Sequence, residues 1–360
     1  MPTNYSLRRK QIARLLEQEK LDALLVTHPP DWYYFTGFTG DSGALLLTTG
    51  GSALVTDGRF TVQAKQETSG VRVVLQKGSL FRYAGEFAGE QRYRRIGFES
   101  GQVSVAALAE FRKGTAGRCK TFPVAGLANS LRTRKDPSEL AQMRKAAILA
   151  SEVVDSAIRL VKPGLSENEL AAEIEYRMRK KGASGPAFQT IVASGPRAAL
   201  PHARPTAKRL RKNELVVLDL GVILGHYCSD ITRTVHIGRA SARVREWYRA
   251  VQEAQMAAID AAGTGVTCAE VDAAARKILA GYKLDRHFIH STGHGLGLEV
   301  HEDPRVAKGQ ERRLQTGNVI TIEPGIYVEG VGGIRIEDDV AIHEKRTEIL
   351  TRGSRELIEI

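Results

Sequence analysis

A chain of 360 residues, 42% hydrophobic and 26% charged, is long enough for one large or two medium domains with a real core. No apolar run approaches the roughly 20 residues that span a bilayer, and the three cysteines, Cys119, Cys228 and Cys268, are too few and too scattered for a disulfide framework or a zinc knuckle. The net charge of +11 permits a nucleic-acid partner, but the basic residues clump only at 8–10, 92–95 and 208–212 and build no aromatic stacking platform, so nucleic acid is disfavoured.

The N-terminus, MPTNYSLRRKQIARLLEQEK, is charged and amphipathic without a hydrophobic signal core, which predicts a cytoplasmic protein with no membrane partner. Residues 1–125 read as a small α/β domain. Helices are expected at 6–19, 31–35, 58–68, 79–90 and 104–113. Strands are expected at 23–27, 44–48, 53–56, 71–75 and 95–98. Nothing there has the spacing of a metal or nucleotide site.

The pattern lapses over residues 122–134, and a second domain, 126–360, follows. Asp136-Pro137-Ser138-Glu139 starts a helix that runs to about residue 161, and Ser166 with Glu169 forms a capping box for a helix to about residue 181. A hairpin follows. The order then recurs: a helix from 242 to about 262, a capping box at Thr267 and Glu270, a helix to about 280, and a second hairpin. Two helices and a hairpin, twice, predict two αα–ββ halves related by a pseudo-twofold axis.

Each hairpin carries two carboxylates. In LVVLDLGVILGHYCSDITRTV, Asp219 ends an apolar strand and Asp230 lies eleven residues on, so a fold about Leu224-Gly225 would set them face to face. In the second hairpin, Glu323 follows Val319-Ile320-Thr321-Ile322, and Glu337 lies fourteen residues further, with Gly330 midway. Directly opposed residues have Cβ atoms roughly 4.5–5.5 Å apart. Buried carboxylates that close repel each other unless a cation lies between them. His294, flanked by Gly293 and Gly295, is the expected nitrogen ligand. The set Asp219, Asp230, His294, Glu323 and Glu337 suits two divalent ions, Mn²⁺ or Co²⁺ before Zn²⁺, with a carboxylate bridging them. His202 and His301 lack ligand spacing but lie in settings that suit non-metal donors.

The segments PHARPT, LDLGVILGHYCSDITRTV, HSTGHGLGLEVHEDP and VITIEPGIYVEGVGGIRIEDD, with the N-terminal DWYYFTGFTGDSGALLLT and VTDGRF, resemble the M24 metallopeptidases. These are the pita-bread enzymes, and the likeness is to their Xaa-Pro branch of prolidases and aminopeptidase P. It spans nearly the whole chain, with all five ligand motifs in order and no departure at a ligand position. It implies an α/β (α+β) architecture, a small creatinase/prolidase-type N-terminal domain before a pita-bread catalytic domain. Asp219 would chelate one metal alone, Asp230 and Glu337 would bridge, and His294 and Glu323 would complete the second site. Glu323 would also pass a proton to the leaving nitrogen. His202 and His301 would hydrogen-bond the substrate carbonyl and the developing oxyanion. The substrate would be a proline-containing peptide, cleaved at a tertiary amide that ordinary peptidases handle poorly, and the enzyme a homodimer. The short bacterial aminopeptidase P pattern is the nearer expectation. A strict Xaa-Pro dipeptidase is the alternative, with a cation for the free carboxylate from Arg305, Arg312, Arg313 or Arg335. A non-enzymatic pita-bread binding module is the remote alternative. Such relatives lose ligands, and this chain keeps all five.

Overall fold

The structure, a computed structural model, describes residues 3–360. It divides into two compact units, one ending at Arg132 and one beginning at Thr133. Among the described residues no helix is long and apolar enough to cross a membrane.

The first unit is one mixed sheet with helices packed on it. Its strands are β1 (Ala23–Val26), β2 (Ala44–Thr48), β3 (Ser52–Thr56), β4 (Arg72–Leu75), β5 (Arg95–Glu99) and β6 (Lys120–Val124), in the order β4-β3-β2-β1-β5-β6. The helices are α1 (Tyr5–Gln18), α2 (Pro29–Thr36), α3 (Thr61–Glu67), α4 (Leu80–Glu90), α5 (Val105–Thr115) and α6 (Leu127–Arg132). Central β1 is buried along its length, as its unbroken Ala-Leu-Leu-Val run requires. The stretch where the sequence pattern lapses is not irregular. It forms β6 and α6, and β6 sits at the sheet edge, where Pro123 costs no ladder bond.

The second unit begins with α7 (Pro137–Ile158) and α8 (Glu167–Lys180), both opened by capping boxes. Short β7 (Gly185–Pro186) and β8 (Ile191–Ser194) precede β9 (Leu215–Leu220), β10 (Val222–Leu224), β11 (Tyr227–Cys228) and β12 (Ile231–His236). Next come α9 (Ala242–Ala261) and α10 (Cys268–Gly281), then β13 (Gly293–Gly295), β14 (Glu302–Val306), β15 (Val319–Ile322), β16 (Gly325–Val328), β17 (Gly332–Arg335), β18 (Asp338–Ile342), β19 (Thr347–Ile349) and β20 (Ile358–Glu359). One apolar core joins α7 and α8 to β9 and β12, and a second joins α9 and α10 to β15 and β18. The duplication reaches fine detail. Ser166 bridges Arg209 in one half and Thr267 bridges Arg313 in the other. Arg209 donates to the Gly164 carbonyl and Arg313 to that of Gly265, both at 2.6 Å.

The first hairpin departs from the expected register. Gly225 (φ 54°) and His226 (φ 71°) form a two-residue turn, pairing Leu224 with Tyr227 and Ile223 with Cys228. Asp219 therefore lies opposite Thr232, and Asp230 is its diagonal neighbour rather than its direct partner. The second hairpin folds as expected. Ile322 pairs Asp338 and Gly325 pairs Arg335, so Glu323 and Glu337 fall opposite each other about Gly330.

Candidate metal centre

Five side chains reach the seam between the two hairpins from five short segments. Asp219 stands on β9, Asp230 just before β12, His294 on β13, Glu323 after β15 and Glu337 before β18. Backbone bonds tie these segments together: Glu337 N–H donates to the Thr232 carbonyl at 3.2 Å, across the two halves, and Glu323 N–H to that of Thr292 at 2.8 Å, within the second. The glycines beside His294 allow the approach. A Cβ on Gly293 would lie 1.9 Å from the Thr321 carbonyl oxygen, and one on Gly295 2.2 Å from that of Asp303.

A carboxylate oxygen from each of Asp230 and Glu337 and a nitrogen of His294 lie within 4.8 Å of one another. His294 Nε2 is 3.6 Å from Glu323 Oε1 and 3.8 Å from Asp230 Oδ2. His294 Nδ1–H donates to the Gly295 carbonyl at 3.0 Å, so the tautomer leaves the Nε2 lone pair aimed at the carboxylates. Burial holds the imidazole at a pKa of about 4, hence neutral, as ligation requires. The carboxylates respond oppositely. Burial, then Glu337 and Asp219, drive Asp230 well above the usual range. Burial and Glu337 raise Glu323, and burial and Asp219 push Glu337 up to about 8. Asp219 Oδ1 and Asp230 Oδ1 are buried and accept no hydrogen bond. Orphaned carboxylate oxygens facing a neutral imidazole fit divalent cations.

Metal-free protein then has a defined pH response. The folded pKa of Glu337 lies above the ordinary 4.5, so its proton stabilises the fold fully below about pH 4.5 and that stabilisation is lost as pH rises through about 8. The melting temperature of chelator-stripped protein should fall between pH 5 and pH 8, and that of Mn²⁺-loaded protein should not. A flat profile for the stripped protein would contradict the crowding of these carboxylates.

His202 and His301 are both exposed at the site. The His301 ring packs edge-on against His294, centroids 4.4 Å apart. Burial and then the neighbouring His202 lower the His301 pKa. Of the four arginines considered as a carboxylate clamp, Arg335 alone is placed by its contacts in the acid cluster, and four of its five N–H donors are engaged. It donates to Asp219 Oδ2 at 2.5 Å, the Tyr327 hydroxyl at 2.7 Å, Thr232 Oγ1 at 3.2 Å and the Pro201 carbonyl at 3.3 Å. Arg312 pairs with Asp303, Arg313 holds Gly265, and Arg305 is exposed.

Sequence reasoning missed two groups here. The Tyr327 hydroxyl, accepting from Arg335, donates to His290 Nε2 at 2.8 Å, while His290 Nδ1–H donates to the Ser291 carbonyl at 2.8 Å. Burial, then Arg335, hold His290 at a pKa of about 4. Asp339 is the other. It accepts the Asp230 N–H at 3.1 Å and keeps a second, unbonded buried oxygen. A tyrosine on an apolar strand four residues past Glu323 was the available signal for the first. Nothing in the sequence separated Asp339 from an ordinary surface acid.

Residues 141–344 match metallopeptidase family M24, and residues 8–134 match the creatinase/prolidase N-terminal domain. The chain is 38% identical over 351 residues to the Xaa-Pro dipeptidase of Pyrococcus horikoshii, covering 97% of this chain and 98% of that one. Its structure superposes on the Xaa-Pro dipeptidase from Bacillus anthracis with a TM-score of 0.96 at 33% identity, over 99% of this chain and 100% of that one. The X-Pro aminopeptidase from Thermotoga maritima gives 0.90 at 36% identity, over 97% and 100%. The fold and these likenesses define a hydrolase of the exopeptidase class. The chain belongs to metallopeptidase family M24, which implies divalent metal and a peptide substrate.

Proposed function

We propose that the chain hydrolyses Xaa-Pro bonds using two divalent ions, Mn²⁺ foremost, held by Asp219, Asp230, His294, Glu323 and Glu337. The observation that carries the reading is the convergence of four carboxylates and a neutral, tautomer-fixed histidine on one buried seam, with carboxylate oxygens left without donors. Bound ions supply Lewis acidity at the scissile carbonyl and make water nucleophilic at neutral pH. The protein's own groups do the rest. Glu323, whose pKa is raised, takes a proton at its carboxylate and delivers it to the proline nitrogen as that leaves. His202 and His301, both exposed at the site, donate hydrogen bonds to the substrate carbonyl oxygen as charge develops on it. Arg335 holds Asp219 in place through its short ion pair.

Xaa-Pro dipeptides are the first substrate of this reading, because relatives similar over their full lengths carry the name Xaa-Pro dipeptidase. Longer Xaa-Pro peptides are the second, favoured by the engagement of Arg335, which already donates to Asp219, Tyr327, Thr232 and Pro201. Metal-stripped protein refilled with Mn²⁺ should be assayed on an Xaa-Pro dipeptide, an Xaa-Pro-Yaa tripeptide, a longer Xaa-Pro peptide and an Xaa-Ala control. Cleavage of the dipeptide alone supports the first substrate. Comparable rates on the longer peptides support the second. Xaa-Ala cleaved as fast as Xaa-Pro, or no cleavage at all, sinks the Xaa-Pro reading.

A further inference from the structure

We propose that Glu167 is a positioning residue for His202, clamping both feet of the loop that carries it. The proposal rests on the role given above to His202. Glu167 is the first residue of α8 and is fully buried. It is not needed to cap that helix, because Ser166 and Glu169 form the capping box. Its carboxylate instead faces the segment between β8 and β9. Oε1 accepts both the N–H and the hydroxyl of Ser194, each at 2.9 Å. Oε2 accepts the Thr206 N–H at 3.1 Å, the Thr206 hydroxyl at 2.8 Å and Arg197 Nε at 3.0 Å.

Ser194 ends β8 and Thr206 closes the loop, so a single carboxylate joins the two feet. Arg197 ties the interior by donating to the Arg204 carbonyl at 2.5 Å. At the tip, Arg335 donates to the Pro201 carbonyl, next to His202, and also holds Asp219. The base of the His202 loop and its tip are therefore both fixed, one by Glu167 and the other by the arginine bound to a metal-site acid. A charge buried this completely is tolerable only with its full set of donors, and here five surround it. A carboxamide of the same shape would turn an NH₂ toward backbone and hydroxyl donors and open one foot. Misplacing a positioned group by about 1 Å can cost on the order of 100-fold in rate.

The test compares Glu167→Gln, His202→Ala and the double variant in Mn²⁺-loaded protein, reading kcat and KM separately, with hydrogen exchange over residues 195–206. Glu167→Gln should lower kcat about 10- to 100-fold with little change in KM and should speed exchange in the loop while leaving β9 and β12 protected. In the His202→Ala background it should add almost nothing, because the two act as a unit. An equal loss in both backgrounds, or an unchanged kcat, overturns the proposal. A normal kcat in His202→Ala overturns the role of His202 itself, a separate failure. Should Glu167→Gln not fold, Thr206→Val removes one donor at one foot. It should lower kcat by a smaller factor with the same non-additivity, and an additive loss or none there overturns the proposal equally.

Discussion

Asp230→Asn is expected to abolish hydrolysis while making the metal-free protein more stable. The residue is 5% exposed, its carboxylate lies among Glu337, Asp219, Asp339 and Glu323, and one of its oxygens has no donor. Changes that merely support a ligand typically cost about 10–100-fold in metal affinity, so loss of a ligand should cost at least that. In the stripped protein the same substitution replaces a carboxyl whose charged form burial, Glu337 and Asp219 all disfavour with a neutral amide of similar shape. Calorimetric Mn²⁺ titration, peptide hydrolysis and melting with and without chelator separate these effects. A variant that keeps wild-type Mn²⁺ affinity removes Asp230 from the ligand set. A stripped variant that melts below stripped wild type refutes the crowding argument.

The second large effect falls on stability. Arg233 is 3% exposed and its guanidinium binds Asp338 Oδ1 at 2.9 Å. It also donates to the carbonyls of Thr232 at 2.9 Å, Glu337 at 2.6 Å and Ser354 at 2.9 Å. It thus locks the first-half strand β12, Glu337 and the C-terminal segment together. Arg233→Met leaves Asp338 buried beside Glu337 with fewer donors. Breaking a buried pair from one side costs roughly 3–5 kcal/mol. Thr351, Gln255 and Arg355 still reach Asp338, which favours the lower end. The melting temperature should fall by on the order of 10 °C, with weakened Mn²⁺ binding because Glu337 loses its backbone support. Arg233→Lys keeps the charge without the fork and should lie between. A fall under about 2 °C for the methionine variant would be too small for a pair this buried.

Much of the centre is readable from residue types and spacing. Strand periodicity sets which face a residue takes, and a symmetric loop about Gly330 sets which residues meet. Spacing alone therefore puts Glu323 and Glu337 opposite each other, and the strand register agrees. The glycines around His294 announce a close backbone approach, and a carbonyl lies where each Cβ would be. The helix starts at Asp136, Ser166 and Thr267 are equally plain, because a capping box is local chemistry. The first hairpin is harder. A turn with positive φ at both Gly225 and His226 shifts the pairing, and only the backbone angles decide between that turn and one centred a residue earlier. What the sequence does not hold at all are contacts between residues that meet only when the halves pack. Arg335 lies 116 positions from Asp219, and Asp339 109 from Asp230. Glu167 reads in sequence as one more acid in a helix's first turn. Its role as a clamp on the His202 loop exists because folding buries it against Ser194 and Thr206, where a charge survives only if every donor arrives.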